Sequence, residues 1–173
     1  MSLRSMIKHN KHNKENKMGL NRSNVKYYLE NQIESDNRGV MGKVYEEEFT
    51  LTTAEILALF TTPKTLVAAP GANKTLQFMG AVAFLDFNSV AYATYGIVTV
   101  KYTDGSGTAV SAPVAAAVLV QQADDAVIEV AQLSDDAELT QNAALVLAVD
   151  TGNPTAGDSP IRFKIFYRIL DFS

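Results

Sequence analysis

His9 and His12 are the two histidines of the chain, and they lie three residues apart in the stretch KHNKHNKENK. On a helix this spacing places both imidazoles on one face, where they can share a metal ion. Asparagine and lysine surround them, however, and the stretch implies no fixed carboxylate and no rigid scaffold to orient the rings. We therefore interpret both histidines as solvated residues of a polar segment and predict no metal site.

Acidic side chains form two clusters in the second half of the chain: Asp124, Asp125 and Glu129, then Asp135, Asp136 and Glu138. Two carboxylates can catalyse glycoside hydrolysis, and several can bind calcium. The spacing matches no calcium-binding loop, however, and the chain has no tryptophan to stack on a sugar. Because each aspartate pair lies at the end of a predicted strand, we interpret both pairs as solvated turns. Calcium binding and a carboxylate-based glycosidase are the alternative hypotheses.

The other patterns that could carry chemistry also have ordinary explanations. Residues 44–173 contain no histidine, so a Ser-His-Asp triad is not available within them. The absence of cysteine excludes disulfides, thiolate catalysis and cysteine-bound zinc. The glycines of YTDGSG (residues 102–107) follow an alternating stretch, which favours a hairpin turn over a phosphate loop. TGNPTAGDSP (residues 151–160) is typical of a surface loop at one tip of a domain. We predict a protein with neither catalytic activity nor a cofactor.

Charge divides the chain into two parts. Residues 1–43 carry nine basic and four acidic residues, a net +5, whereas residues 44–173 carry six basic and fifteen acidic residues, a net −9. The basic residues of the first part are Arg4, Lys8, Lys11, Lys14, Lys17, Arg22, Lys26, Arg38 and Lys43. Such asymmetry is typical of an interaction arm attached to a folded domain. We predict a basic N-terminal arm at residues 1–43 and a folded domain at residues 44–173.

The arm contains one amphipathic segment, SNVKYYLENQIE (residues 23–34). Ser23 is a suitable N-cap, and the apolar side chains near one helical face are Val25, Tyr28, Leu29 and Ile33. We predict a short helix here. It is too short to be stable alone, so its apolar stripe needs a partner.

In the second part the apolar period changes to two, which is typical of strands. The one helix predicted there is TTAEILAL (residues 52–59), with Thr52 or Thr53 as N-cap and Glu55 in the first turn. The predicted strands are VYEEEFTL, KTLVAA, KTLQFMGAVAFLDF, YATYGIVTVKYT, TAVSAPVAAAVLVQ, AVIEVAQL, NAALVLAVD and PIRFKIFYRIL. Strands at this spacing predict an all-β fold, a jelly-roll-like antiparallel β-sandwich.

The run AAAVLV (residues 115–120) is small and apolar throughout, which favours a strand buried on both faces. In a domain of this size both faces are buried most easily when copies associate, so we predict a homo-oligomer. The longest apolar runs fall short of the ~18 residues of a membrane helix. The basic start MSLRSMIKHN precedes no apolar core of a secretory signal. We predict a soluble protein that has no membrane contact and is not exported by the usual route.

The stretch TLTTAEILALFTTPKTLVAAPGANKTLQF (residues 50–78) resembles a recurring segment of tailed-bacteriophage and prophage virion proteins. The resemblance continues through AYATYGIVTVKYTDGSGTAV, NAALVLAV and TGNPTAGDSPIRFKIFYRI, and spans about residues 47–171. Its specificity lies in the order of these segments, since none is a catalytic motif. It implies a non-enzymatic structural protein of the virion: a head decoration, cement, head-fibre or minor capsid protein, often a trimer of β-domains.

The arm lies outside this resemblance, so its role is predicted from its chemistry alone. Nine basic residues and two adjacent tyrosines could bind nucleic acid, but the acidic domain opposes this and no nucleic-acid fold signature is present. A solvated tail without function is a second alternative. We favour an anchor that binds the acidic surface of a partner. The predicted anchor residues are Lys8, Lys11, Lys14, Lys17, Arg22, Lys26, Tyr28, Leu29 and Ile33.

Together these features predict a phage capsid decoration, cement or head-fibre protein, made in the host cytoplasm and attached to the capsid exterior through its arm. The predicted partner is the major capsid protein or another head protein, and the predicted oligomer is a trimer. The alternative is a host-receptor or carbohydrate-binding head domain of a tail fibre. Seven tyrosines keep sugar stacking available to that alternative, although tryptophan is absent.

Overall fold

The computed structural model describes residues 43–93, 96–134 and 138–173. The predicted arm helix at residues 23–34 therefore lies outside the described residues. The elements that the structure describes are β1 (Val44–Leu51), α1 (Thr53–Leu57), β2 (Lys64–Val67), β3 (Lys74–Leu85), β4 (Val98–Tyr102), a 3-10 helix (Ala116–Val118), β5 (Ala126–Val130), β6 (Leu145–Val149) and β7 (Ile161–Asp171).

The strands form two antiparallel sheets. The first contains four strands in the order β1-β7-β3-β5, and the second contains three in the order β2-β6-β4. Apolar side chains from both sheets share one buried core. The predicted all-β antiparallel sandwich is therefore confirmed, whereas its jelly-roll-like form stays a prediction.

Strand β7 is the centre of the four-stranded sheet. It pairs with β1 along eight residues and with β3 on its other side. The alternation in its sequence predicts that Ile161, Phe163, Ile165, Tyr167 and Ile169 share one buried face. The first four lie in the core, whereas Ile169 is exposed near the end of the strand. The ladder between β3 and β7 shifts register between Phe78 and Gly80, where a bulge lets the long β3 strand twist across the sheet.

Among the described strands, β6 is the one whose five residues are all buried. Its two edges pair with β2 and β4, and all five side chains are buried within a single chain, without a second copy. The prediction that residues 115–120 form such a strand is wrong: residues Ala116–Val118 form a 3-10 helix, and Ala115, Ala117 and Val118 are exposed. Alanine favours helical turns, and short apolar runs do not distinguish strand from helix. The prediction of a homo-oligomer is based on a fully buried strand at residues 115–120, so this segment no longer supports it.

The residues before this 3-10 helix also differ from the predicted strand. Ala109, Ser111 and Val114 make isolated bridges to Lys101, Gln132 and Val98 instead of a continuous ladder. The Ser111 hydroxyl accepts a hydrogen bond from the backbone N–H of Val100 at 2.8 Å. Pro113 cannot donate a backbone hydrogen bond, which is one reason a regular strand does not form. This segment lies along β4 and also contacts the chain after β5, so it links the two sheets.

The predicted helix after β1 is confirmed as α1. Thr52 is its N-cap, and a capping box joins it to Glu55: the Thr52 N–H donates to the Glu55 carboxylate at 2.9 Å, and the Glu55 N–H donates to the Thr52 hydroxyl at 3.4 Å. The Glu55 carboxylate also pairs with the Lys64 ammonium at the start of β2. The capping box therefore stabilises the N-terminus of α1, and the ion pair joins the helix to β2.

Acid should weaken this link. Lys64, followed by the Thr52 N–H, lowers the pKa of Glu55 from 4.5 to about 2. Since the folded pKa is the lower one, the carboxylate stabilises the fold above pH 4.5 and loses that effect as the pH falls through about 2. We expect Glu55→Gln to remove this part of the acid sensitivity. Urea unfolding of both proteins between these two pH values checks it, and a constant difference in stability across that range would contradict it.

Candidate interaction surface

The predicted anchor residues Lys8, Lys11, Lys14, Lys17, Arg22, Lys26, Tyr28, Leu29 and Ile33 all lie outside the described residues, as do His9 and His12. The structure therefore neither brings these residues together nor separates them. Their role stays a prediction.

The structure describes some residues of the two acidic clusters and not others. Asp124 and Asp125 lie in the exposed turn before β5, where the Asp125 carboxylate accepts a hydrogen bond from the Phe87 N–H at 2.9 Å. Glu129 lies on β5, and Asp135 and Asp136 lie outside the described residues. Among the residues that the structure describes, no three side chains of the types that bind metals are grouped closely enough to share an ion. The predicted solvated turn at Asp124–Asp125 is confirmed.

The glycine-rich stretch YTDGSG forms a turn after β4, as predicted. The Asp104 carbonyl accepts from the Gly107 N–H at 3.1 Å, and the Asp104 carboxylate accepts from the Ser106 N–H at 2.8 Å. A Cβ on Gly107 would overlap the Tyr102 carbonyl, so the glycine is required for close backbone approach. The glycines serve the turn and open no helix.

The loop at residues 151–160 is held tightly by one carboxylate. Asp158 accepts hydrogen bonds from the backbone N–H groups of Ser89 and Val90 at 3.1 and 2.9 Å. It also accepts from the Ser89 hydroxyl at 2.6 Å and the Asn88 amide at 2.8 Å. The Ser89 hydroxyl and then the Val90 N–H lower the pKa of Asp158 to about 2. Its oxygens are occupied by this loop pairing, which makes Asp158 a structural residue.

The exposed face of the four-stranded sheet has two halves of different chemical character. On the side next to β1, the Lys164 ammonium lies 2.9 Å from Glu46 and 3.4 Å from Glu48. Glu46, followed by Glu48, raises the pKa of Lys164. The Arg162 guanidinium lies 4.4 Å from the centre of the Phe84 ring. The cations of this half therefore already have partners within the chain.

The other half of the same face is apolar. Met79, Val82, Val127 and Phe166 line an open hollow of about 480 Å³ next to the bulge in β3. Glu129 lies at its rim, and among the described residues that carboxylate forms neither an ion pair nor a hydrogen bond. Val127 is 65% exposed. This half combines apolar side chains with one uncompensated carboxylate at the edge of the sheet.

Sequence patterning does not reveal this hollow. The alternation in β7 correctly places Arg162 and Lys164 outward, but Phe166 shares that outward row. Phe166, an aromatic residue among the polar outward side chains of β7, is the one feature of the sequence that could have indicated the hollow. The neighbouring valines cannot be found in the same way, since the pairing of β3 with β5 joins segments that are far apart in the sequence.

The described tyrosines do not form a platform for a sugar ring. Tyr92, Tyr102 and Tyr167 are buried, and the Tyr45 ring stacks on Tyr167 with their centres 5.4 Å apart. Burial raises the pKa of Tyr102 and of Tyr167 to about 12. A site for a sugar ring needs an aromatic side chain with an exposed ring face. The three buried tyrosines, Tyr92, Tyr102 and Tyr167, do not have one.

Comparisons with known proteins give little further guidance. The chain matches no protein-family model and no curated protein. Among solved structures it is similar to one described as the cyanophage Pam1 capsid asymmetric unit, at 15% sequence identity and a TM-score of 0.40, over 72% of this chain and 82% of that one. Within the described residues, no helix has the length and apolar character required to cross a membrane.

Proposed function

We propose that this chain is a structural component of a bacteriophage virion that decorates or cements the head, or forms a head fibre. The observation that supports it most is the ordered series of segments that resemble tailed-phage virion proteins, which spans about residues 47–171. A sandwich whose strand pairing and loops are fixed by buried side chains and internal hydrogen bonds suits such a role. The proposed protein has no catalytic activity.

The attachment is assigned to the arm. Residues 1–43 carry +5 and the rest of the chain carries −9, so the arm is the part suited to an acidic surface on the major capsid protein or another head protein. The apolar stripe of the predicted helix, Tyr28, Leu29 and Ile33, supplies contacts that salt does not screen. The proposed location is the capsid exterior, and the trimer implied by the resemblance belongs to this proposal.

The host-receptor alternative gains no support from the described surface. Sugar-binding sites commonly combine an exposed aromatic face with polar side chains, and three of the four described tyrosines, Tyr92, Tyr102 and Tyr167, are buried. A glycan array with the full chain separates the two functions. Reproducible glycan binding would favour the receptor role over head attachment.

Replacing Lys8, Lys11, Lys14 and Lys17 together with glutamine should weaken head binding. The change lowers the arm charge from +5 to about +1. At about 0.5 kcal/mol for each exposed ion pair, we expect a loss of about 2 kcal/mol, or about thirtyfold in affinity. Co-sedimentation of the full chain with heads assembled without it measures this. The dependence of binding on salt should weaken as well.

A matched control lies in the same arm. Changing Glu15, Glu30 and Glu34 to glutamine raises the arm charge by three and should keep or strengthen binding. Thermal unfolding of both variants checks that the domain is unaffected. If the lysine variant occupies heads as fully as the unchanged protein, electrostatic anchoring by the arm is wrong.

A further inference from the structure

The two outer strands of the four-stranded sheet differ in how they are protected. Proteins commonly discourage edge-to-edge pairing with charged side chains on an edge strand. Strand β1 carries three successive glutamates, Glu46, Glu47 and Glu48. Strand β5, with the sequence AVIEV, carries only Glu129. Among the described residues no further strand follows β5 in this sheet, so its edge lacks the protection that β1 has.

We propose that β5 pairs with β5 of a second copy. The two strands would run antiparallel about a two-fold axis and join two four-stranded sheets into one continuous sheet. The proposed interface is formed by residues of β5 and does not depend on the proposed head attachment. The occupant is a second copy because the sequence of β5 matches itself in a single register.

Side-chain direction and charge select that register. Val127 and Glu129 point outward, whereas Ala126 and Ile128 pack toward the core. In an allowed register, residues with odd numbers therefore lie opposite residues with odd numbers, so that outward side chains of the two copies share one face. With Ile128 opposite its own counterpart, Val127 of each copy faces Glu129 of the other. A shift of two residues in one direction opposes Glu129 to Glu129, and in the other direction it opposes Asp125 to Glu129. Both shifts place like charges in direct opposition, which is destabilising.

The same comparison of charges disfavours the central registers of the other edge strand, β1. Any antiparallel pairing of β1 with its own copy that is centred on Glu46, Glu47 or Glu48 opposes glutamates to glutamates. The proposed β5 register instead places the exposed Val127 next to an apolar row. Its cross-strand neighbour within the chain is Phe84 of β3, and the hollow lined by Val82 and Phe166 lies beside it. Pairing covers Val127 and extends that apolar surface across the two-fold axis.

The contact is small, with five residues from each copy, so alone it should bind weakly. The contact forms to a greater extent where copies are held close together, because a high effective concentration raises the fraction of a weak dimer that is assembled. Two measurements suit such a contact: chemical cross-linking, which traps a weak pair, and sedimentation at high protein concentration.

Cross-linking tests the register directly, because the chain contains no cysteine. We expect Val127→Cys mixed with Glu129→Cys to form a disulfide-linked dimer under mild oxidation. Directly opposed residues lie within the Cα distance that a disulfide requires, whereas diagonal ones lie beyond it. The mixture should therefore give at least about fivefold more dimer than either variant alone. Mixed Glu46→Cys and Glu48→Cys, the equivalent pair on β1, should give no such excess.

Sedimentation tests the energetics. Val127→Glu should raise the dimer dissociation constant of the full chain at least about tenfold, since it places a carboxylate directly opposite Glu129 of the other copy on both sides of the two-fold axis. Val44→Glu, on an outer strand at 47% exposure, is the matched control and should leave the constant unchanged. Absence of the disulfide excess would overturn the proposal. So would a chain that stays monomeric throughout, or a trimer whose mass Val127→Glu does not alter. Loss of head binding alone would not affect it.

Discussion

Replacing Phe163 with alanine should destabilise the domain by about 3–5 kcal/mol. Phe163 lies in the central strand β7 at 1% exposure, and its ring stacks on Phe49 of β1 with the ring centres 5.5 Å apart. On its other side it faces Ala83 of β3, a side chain too small to fill the space that alanine would leave. The loss therefore combines the transfer energy of the ring with a cavity between β1 and β3.

This loss is large against the 5–15 kcal/mol that stabilises a typical domain. Urea unfolding of the full chain measures it as a lower midpoint at an unchanged slope. Phe172→Ala is the matched control, because that ring is 69% exposed beyond the end of β7, and its change should stay within about 0.5 kcal/mol. A loss below about 1 kcal/mol for Phe163→Ala would mean that the two sheets do not pack on this ring.

Much of the sandwich follows from residue patterns that act locally. The alternation in β7 identifies both its position and its buried face, because a strand side chain points to one side or the other. The capping pair Thr52 and Glu55 identifies the start of α1, because both partners lie within one turn. These elements depend on neighbouring residues alone, which is why the sequence predicts them.

Sequence patterns fail where distant residues decide the outcome. The run at residues 115–120 has no alternation, so its composition suits a strand as well as a helical turn. Ala116, Leu119 and Val120 of this run join the buried core, and Ala116–Val118 forms a 3-10 helix. The fully buried strand is instead β6, and its edges pair with β2 and β4, which are distant from one another in the sequence. Pairing partners are not encoded in local periodicity.

The candidate surface shows the same division. Charge identifies the arm directly, because basic residues concentrate in one stretch of the chain. The hollow beside β5 cannot be predicted in this way, since Val82 and Val127 become neighbours only after β3 and β5 pair. The difference between the two sheet edges likewise needs the strand order. Sequence thus indicates the proposed head contact, and the fold adds the proposed contact between copies.

Replacing Gly157 with alanine should destabilise the domain by about 2–4 kcal/mol. Gly157 has a φ of +85°, which side-chain-bearing residues rarely adopt, and a Cβ there would overlap the ring of Tyr92. Tyr92 is 2% exposed, and its hydroxyl donates to the Ser159 carbonyl at 2.6 Å. The ring cannot move aside without breaking that hydrogen bond, so the substitution combines backbone strain with overpacking.

Gly152→Ala distinguishes backbone strain from the overlap with Tyr92. Gly152 lies in the same loop with a φ of +65°, but a Cβ at this position would meet none of the described residues within 4 Å. Gly152→Ala should therefore cost only the backbone strain, about 1 kcal/mol. The difference between the two variants in urea unfolding measures the contact with Tyr92 alone. Equal losses would show that Tyr92 does not hold this loop. A larger loss at Gly157, with faster amide exchange at Ser89 and Val90, would show that the ring and Asp158 fix the loop together, since both join it to the same neighbouring segment.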